Sequence, residues 1–328
     1  MRRRTLLLAA VAGVACVPLR SLAQQPAKLR RVGFLYFGSR ESAIETGRYA
    51  KFIEGMKEFG YEEGKNLFLE TRFAGGDDRR VAGLAEDLVR TNPEVIVSAG
   101  TQVNHALSRA TSTVPVVMVT GDPVGEGLAT SLAHPGRNFT GMTGITYELA
   151  GKQADLLVGA LPGLSRLAVL VNPSNAGHAR QLADVEEVAR RHGARVLVVK
   201  ARSPDEIVRA FETMARARAG ALLVFGDTFF VQERRRIAEL AYKHKLPSMA
   251  QTPDYPEAGL CLSYGRNNRE TFKRVAVYVD KILKGAKAAD LPIEQPTVLE
   301  LVINLHTAKA IGFAVPQELL LRADRVIE

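Results

Sequence analysis

The chain has 328 residues, yet it contains no tryptophan and only two cysteines, Cys16 and Cys261. So few thiols exclude a disulfide-built scaffold. The six histidines, His105, His134, His178, His192, His244 and His306, stand far apart, and none pairs with a Cys or a second His at metal-ligand spacing, so no metal site is expected. There is no G-x-S-x-G nucleophile elbow and no G-x-x-x-x-G-K-[ST] phosphate loop. No apolar run reaches the roughly 20 residues that a membrane helix needs. Charge of one sign is not concentrated either. The formal net charge is +9, but its basic residues are scattered apart from Arg234, Arg235 and Arg236, which read as a solvated helix face, and nucleic acid is not an expected partner.

What is present begins with a leader-like segment. Arg2, Arg3 and Arg4 precede an uncharged stretch over residues 6–18, and Ser21-Leu22-Ala23 offers a small-residue cleavage signal, so residues 1–23 read as an export peptide for the Sec or the twin-arginine route. Cleavage after Ala23 removes Cys16 and four of the positive charges. Cys261, between Leu260 and Leu262, then remains as a single buried thiol.

The remaining chain, 46% hydrophobic and 24% charged overall, is too long for one compact core, so two domains are expected. Apolar β-branched runs recur at 32–36, 66–73, 95–98, 116–120 and 139–143, and again at 167–171, 195–199, 221–225, 246–250 and 260–263. Stretches at 47–59, 79–90, 177–192, 204–217 and 232–244 carry apolar residues three and four apart, as helices covering a parallel sheet do. The rhythm predicts an α/β protein of two lobes with about five strands each and a joint near 140–148. A helix at 269–283 and a strand at 299–303 follow, so the chain is expected to cross between lobes more than once.

Ligands of open parallel sheets bind beyond the carboxyl ends of the strands. Those positions read Phe37-Gly38-Ser39, Gly100-Thr101-Gln102, Gly121-Asp122-Pro123, Asn172-Pro173-Ser174-Asn175 and Gly226-Asp227-Thr228: small, polar and poor in acid-base machinery. Gly100-Thr101-Gln102 suits a carboxylate seat on a helix N-terminus, or else Thr101 is a plain N-cap. Asp122 and Asp227 each follow a buried run and either pair with a ligand ammonium or cap the next helix. Tyr36, Phe37, Phe229, Phe230 and Tyr264 stand beside these turns as stacking or core residues. Gly125-Glu126-Gly127-Leu128-Ala129-Thr130 approaches a dinucleotide fingerprint, but Asp122-Pro123 precedes it and the acid expected for a ribose is missing.

Several phrases carry a resemblance: Phe59-Gly60-Tyr61-Glu62-Glu63-Gly64-Lys65-Asn66, Ser98-Ala99-Gly100-Thr101, Val119-Thr120-Gly121-Asp122-Pro123-Val124, His134-Pro135-Gly136-Arg137-Asn138-Phe139-Thr140-Gly141, Tyr278-Val279-Asp280-Lys281, and the tail from Asp290-Leu291-Pro292-Ile293 through Leu301-Val302-Ile303-Asn304 to Arg322-Ala323-Asp324. On these the chain resembles, nearly end to end, the periplasmic solute-binding proteins of the ABC-transporter substrate-binding family, which includes tryptophan-binding members. The resemblance implies the type I periplasmic-binding fold, two doubly wound parallel-sheet lobes joined by a hinge. Lobe 1 is then 29–143 plus about 266–293, and lobe 2 is 144–265 plus about 294–328. It implies a non-enzymatic periplasmic receptor without cofactor, which captures a small amino-acid-like solute, aromatic or apolar side chains included, for a permease and ATPase at the inner membrane; a monomer is the simplest assumption. The family's cleft turns correspond to Ser39, Thr101, Gln102, Asp122, Asn172, Asp227 and Tyr264. A ligand-sensing subunit of a signalling system and an exported α/β enzyme are the alternatives.

Overall fold

The computed structural model describes residues 28–144, 146–295 and 298–328, without the side chains of residues 146–148. The expected export peptide, residues 1–23, lies outside the described residues. The first sheet comprises β1 (Arg30–Tyr36), β2 (Leu67–Phe73), β3 (Val95–Ala99), β4 (Val116–Thr120) and β5 (Phe139–Thr143), all parallel in the order β2-β1-β3-β4-β5. Its helices are α1 (Arg40–Glu45), α2 (Arg48–Glu58), α3 (Asp78–Arg90) and α4 (Thr101–Ala110). α3 shows why these segments fold as they do. Val81, Ala85 and Leu88 are buried at helical spacing while Arg79, Arg80 and Glu86 are exposed, and the Asp77 side chain caps the start by accepting from the Arg79 N–H.

The chain then enters a second lobe through α5 (Thr146–Gly159), followed by β6 (Arg166–Val171), α6 (His178–Arg191), β7 (Arg195–Lys200), α7 (Pro204–Arg216), β8 (Ala221–Val224), α8 (Thr228–Gln232), α9 (Arg234–Lys243), β9 (Ser248–Ala250), α10 (Asp254–Glu257) and β10 (Leu262–Gly265). It returns to the first lobe as α11 (Asn268–Leu283), packed along α2, and goes back to the second as β11 (Glu300–Asn304), α12 (Leu305–Ile311), α13 (Gln317–Leu321) and β12 (Arg325–Ile327). The second sheet has the order β12-β11-β10-β9-β8-β6-β7.

One pair in it, β10 with β11, is antiparallel, with Gly265 opposite Glu300. The cause is topological. β10 leaves the sheet at its cleft-facing end to reach α11, and the returning chain enters at that same end, so β11 must run the other way.

Three connections therefore join the lobes, at 143–146, 265–268 and 294–300. Each lobe has its own core, around Phe34, Phe52 and Phe272 in the first and Val169, Leu223 and Ile303 in the second. A third apolar cluster holds residues of both lobes, among them Phe37, Leu128, Phe229 and Phe230. Among the described residues no helix is long and apolar enough to cross a membrane.

Candidate functional site

The carboxyl ends of both sheets converge on a cleft that holds a cavity of about 90 Å³. From the first lobe, β3 ends at Ala99 and Gly100 turns the chain with φ +115; a Cβ there would lie 2.8 Å from the Phe37 Cβ, so only glycine allows the close approach. α4 then begins at Thr101. Gly100 is its N-cap and Thr101 its first helical residue, which corrects the reading of Thr101 as the cap: the positive-φ turn has to precede the helix.

The Thr101 hydroxyl at this helix start meets a carboxyl group of the protein itself. Glu126 accepts from the Thr120 hydroxyl at 2.9 and 3.1 Å and from the Thr101 hydroxyl at 3.4 Å. Burial pushes the Glu126 carboxyl up to about 7, and the negative charge of Asp122 acts in the same direction, against the hydrogen bonds from Thr120 and Thr101.

The second lobe contributes Asp227, buried and fully engaged. One carboxylate oxygen accepts from the Phe229 N–H at 2.9 Å, capping α8, and from Asn172 Nδ2 at 3.2 Å; the other accepts from Asn175 Nδ2 at 2.9 Å. Gln251 and Tyr255 complete this wall.

Two arginines meet at the cavity. Arg48, on α2, donates to Asp254 of the second lobe at 2.6 Å, and Thr252 Oγ1 donates to the same carboxylate oxygen at 2.9 Å. Burial alone would raise the Asp254 carboxyl, but the charge and hydrogen bond of Arg48 outweigh it and hold it below the ordinary carboxylate range. Arg266, in the crossing between β10 and α11, forms no ion pair with any described residue. Its Nε donates to Asn268 Oδ1 at 2.9 Å. The residue as a whole is only partly buried, but its Nη1 is sealed from solvent without a hydrogen-bond partner. Desolvation, helped by the repulsion of Arg48, pushes its guanidinium down to about 10. Arg48 Nη1, Gln102 Nε2, Gln251 Nε2 and Tyr255 Oη are likewise buried without partners, and all five residues border the same cavity.

Of the seven residues that the resemblance assigns to the cleft turns, Thr101, Gln102 and Asp227 border the cavity and the other four do not. Ser39 caps α1 and receives its lobe-to-lobe contact at the backbone, where its N–H donates to Gln232 Oε1 at 2.8 Å. Asp122 lies beside the cleft, paired with Arg180 of the opposite lobe at 2.7 Å. Asn172 buttresses Asp227 from behind. Tyr264 packs against the second-lobe core while its carbonyl accepts from Gln153. Arg234 corrects the expectation of a solvated basic face. It is buried, and its Nη2 reaches Glu45 of the first lobe at 2.8 Å, while Arg235 and Arg236 remain exposed. Arg48, Glu126, Gln251, Asp254 and Arg266 were not singled out for this site. Glu126 alone carried a local signal, an acid between two glycines just past a strand end.

Among the described residues no group of His, Cys, Asp and Glu side chains converges as metal ligands do. The arrangement is that of a binding cleft rich in unspent hydrogen-bond donors.

Comparison with known proteins agrees with this picture. Residues 41–327 match the model of a family described as ABC transporter substrate binding protein. A tyrosine-binding protein of Clostridioides difficile (strain R20291) is 23% identical over 261 residues, covering 79% of this chain and 75% of its own. A conserved domain protein from Vibrio cholerae superposes with a TM-score of 0.84 at 26% identity, over 91% of this chain and 100% of its own. The ABC domain in complex with L-Trp from Streptococcus pneumonia superposes with a TM-score of 0.83 at 24% identity, over 92% of this chain and 100% of its own.

Proposed function

From the premise that the chain belongs to the ABC transporter substrate binding protein family, we propose that it is the periplasmic solute receptor of an ABC uptake system and takes an amino-acid-like solute in the cleft between its lobes. The observation that carries the reading is the set of buried donors without partners around one inter-lobe cavity. Each such group costs about 1–3 kcal/mol if left unmet in the interior, and a polar solute removes that cost. The relative that binds tyrosine and the fold relative holding L-Trp support the amino-acid class.

The mechanism follows from the three connections. The lobes rotate about them, and a solute that touches Glu126 on one side and Gln251 or Tyr255 on the other favours the closed form by its differential affinity for it. A solute held by one lobe only shifts nothing. The closed form then presents a joint surface to a permease whose transport step an ATPase drives. The protein returns its ligand unchanged, which separates this reading from an enzyme.

A thermal-shift screen against the twenty amino acids tests it. The cavity is smaller than the ~150 Å³ void that holds a benzene ring, so compact amino acids belong in the panel beside aromatic ones. A ligand at about 100 times its Kd adds about 2.7 kcal/mol of stability. Because the protein has no Trp, bound tryptophan can be followed by its own fluorescence. No shift with any amino acid overturns the amino-acid reading.

A further inference from the structure

We infer that the solute lies in the cleft with a carboxylate on Arg266 and an ammonium against Glu126, so that the cleft selects α-amino acids and fixes their direction. The inference rests on the receptor reading and deepens it. Glu126 and Arg266 both border the cavity without forming an ion pair with each other, and they differ in charge and in unmet bonding capacity. Beside Thr101 the site already holds an acid: Glu126 accepts from both threonine hydroxyls, and a second carboxyl group placed there would meet it directly. Two unpaired acids in one desolvated site repel strongly. The Thr101 hydroxyl at the helix terminus is thus engaged by the chain's own acid, whose remaining lone pairs are open to an ammonium.

Arg266 offers the opposite. Among the charged side chains that border the cavity, Arg48 has Asp254 and Asp227 has three donors, but Arg266 has only the amide oxygen of Asn268 and a sealed, partnerless Nη1. Its planar fork suits a carboxylate, and Gln251 and Arg48, which border the same cavity, each carry a further donor without a partner. Arg266 also sits in the crossing between lobes, so a carboxylate held there does not choose between them, whereas the rest of the solute must.

The test measures binding of the twenty L-amino acids to the purified protein by calorimetry. For each binder the corresponding amine without its carboxylate (tyramine for tyrosine) and the deaminated acid are then measured against wild type, Arg266→Gln and Glu126→Gln. Arg266→Gln is expected to weaken the amino acid and the deaminated acid by roughly a hundredfold and to leave the amine within a few-fold. Glu126→Gln is expected to weaken the amino acid and the amine and to spare the deaminated acid. Arg266→Lys, which keeps the charge and loses the fork, is expected to fall between and serves if the glutamine variant does not fold. An amino acid bound equally well by wild type and Arg266→Gln, or a reversed pattern among the analogues, overturns this orientation and leaves the receptor reading standing. Absence of binding by any amino acid, amine or acid to the wild type overturns both.

Discussion

Arg48 and Arg266 approach the same cavity from different elements and live under opposite conditions. Arg48 is sealed between lobes with a carboxylate at 2.6 Å, and its partner Asp254 is further fixed by Thr252; Arg266 forms no ion pair among the described residues. Burial penalises both guanidinium groups, but only in Arg48 does an ion pair more than offset the loss, so its guanidinium titrates above the ordinary value and that of Arg266 below. The difference teaches that one pair is architecture, completed by the protein, while the other arginine is completed from outside.

Removing one member of the architectural pair should have the largest effect. Asp254→Ala leaves Arg48 buried and unpaired and is expected to lower stability by about 3–5 kcal/mol in urea titration, whereas Arg48→Met combined with Asp254→Leu should recover most of the loss. A single variant that unfolds like wild type would make the pair incidental.

Glu126 supplies the next effect, through pH. The folded carboxyl titrates near 7 and the unfolded one near 4.5. Between these values the folded state holds a proton that the unfolded state has released, so stability is expected to fall as pH rises from 4.5 to 7, by at most about 3 kcal/mol, and then to level off. Around Glu126 stand Asp122 on its own loop, Thr101 and Thr120, and Arg180 from α6 across the cleft. Glu126→Gln should remove this part of the slope, and a profile identical to wild type in that variant assigns the titration elsewhere.

Arg266→Gln, in the absence of solute, is expected to change stability by no more than about 1 kcal/mol, and toward the more stable side, because it deletes a partly desolvated charge that has no acid partner. A loss as large as that of Asp254→Ala would place both arginines in one class. The smallest effect is expected at the rim. Asp122→Asn removes the exposed pair with Arg180 and should cost less than about 1 kcal/mol in low salt and nothing measurable in high salt.

Much of the fold was legible because burial on both faces of a parallel strand demands an unbroken apolar run, and all ten such runs contain or overlap an observed strand. β12, with Arg325 and Val326 exposed, carries no such demand and left no pattern. The site was legible only where strand ends could be located. Thr101, Gln102 and Asp227 follow β3 and β8 directly and border the cavity. Arg266 and Asp254 could not be found that way, because nothing local marks a charge for burial: the other lobe, brought in by the crossings, seals them. Glu126 stands in a glycine-rich phrase whose likeness to a dinucleotide fingerprint the sequence already argues against, but spacing alone does not reveal a turn that aims a carboxyl group at two threonines.

The repeated crossing of the backbone also bears on how the polypeptide acquires its shape. The first lobe lacks α11 until residue 283 is available, and the second sheet lacks two strands until residues 300–327 are. The first half is therefore finished only after most of the second has been made, and the second only after that. Chains of this size commonly fold domain by domain from the N-terminus. Here that order is blocked by connectivity, because the first lobe cannot be completed before most of the second has been synthesised.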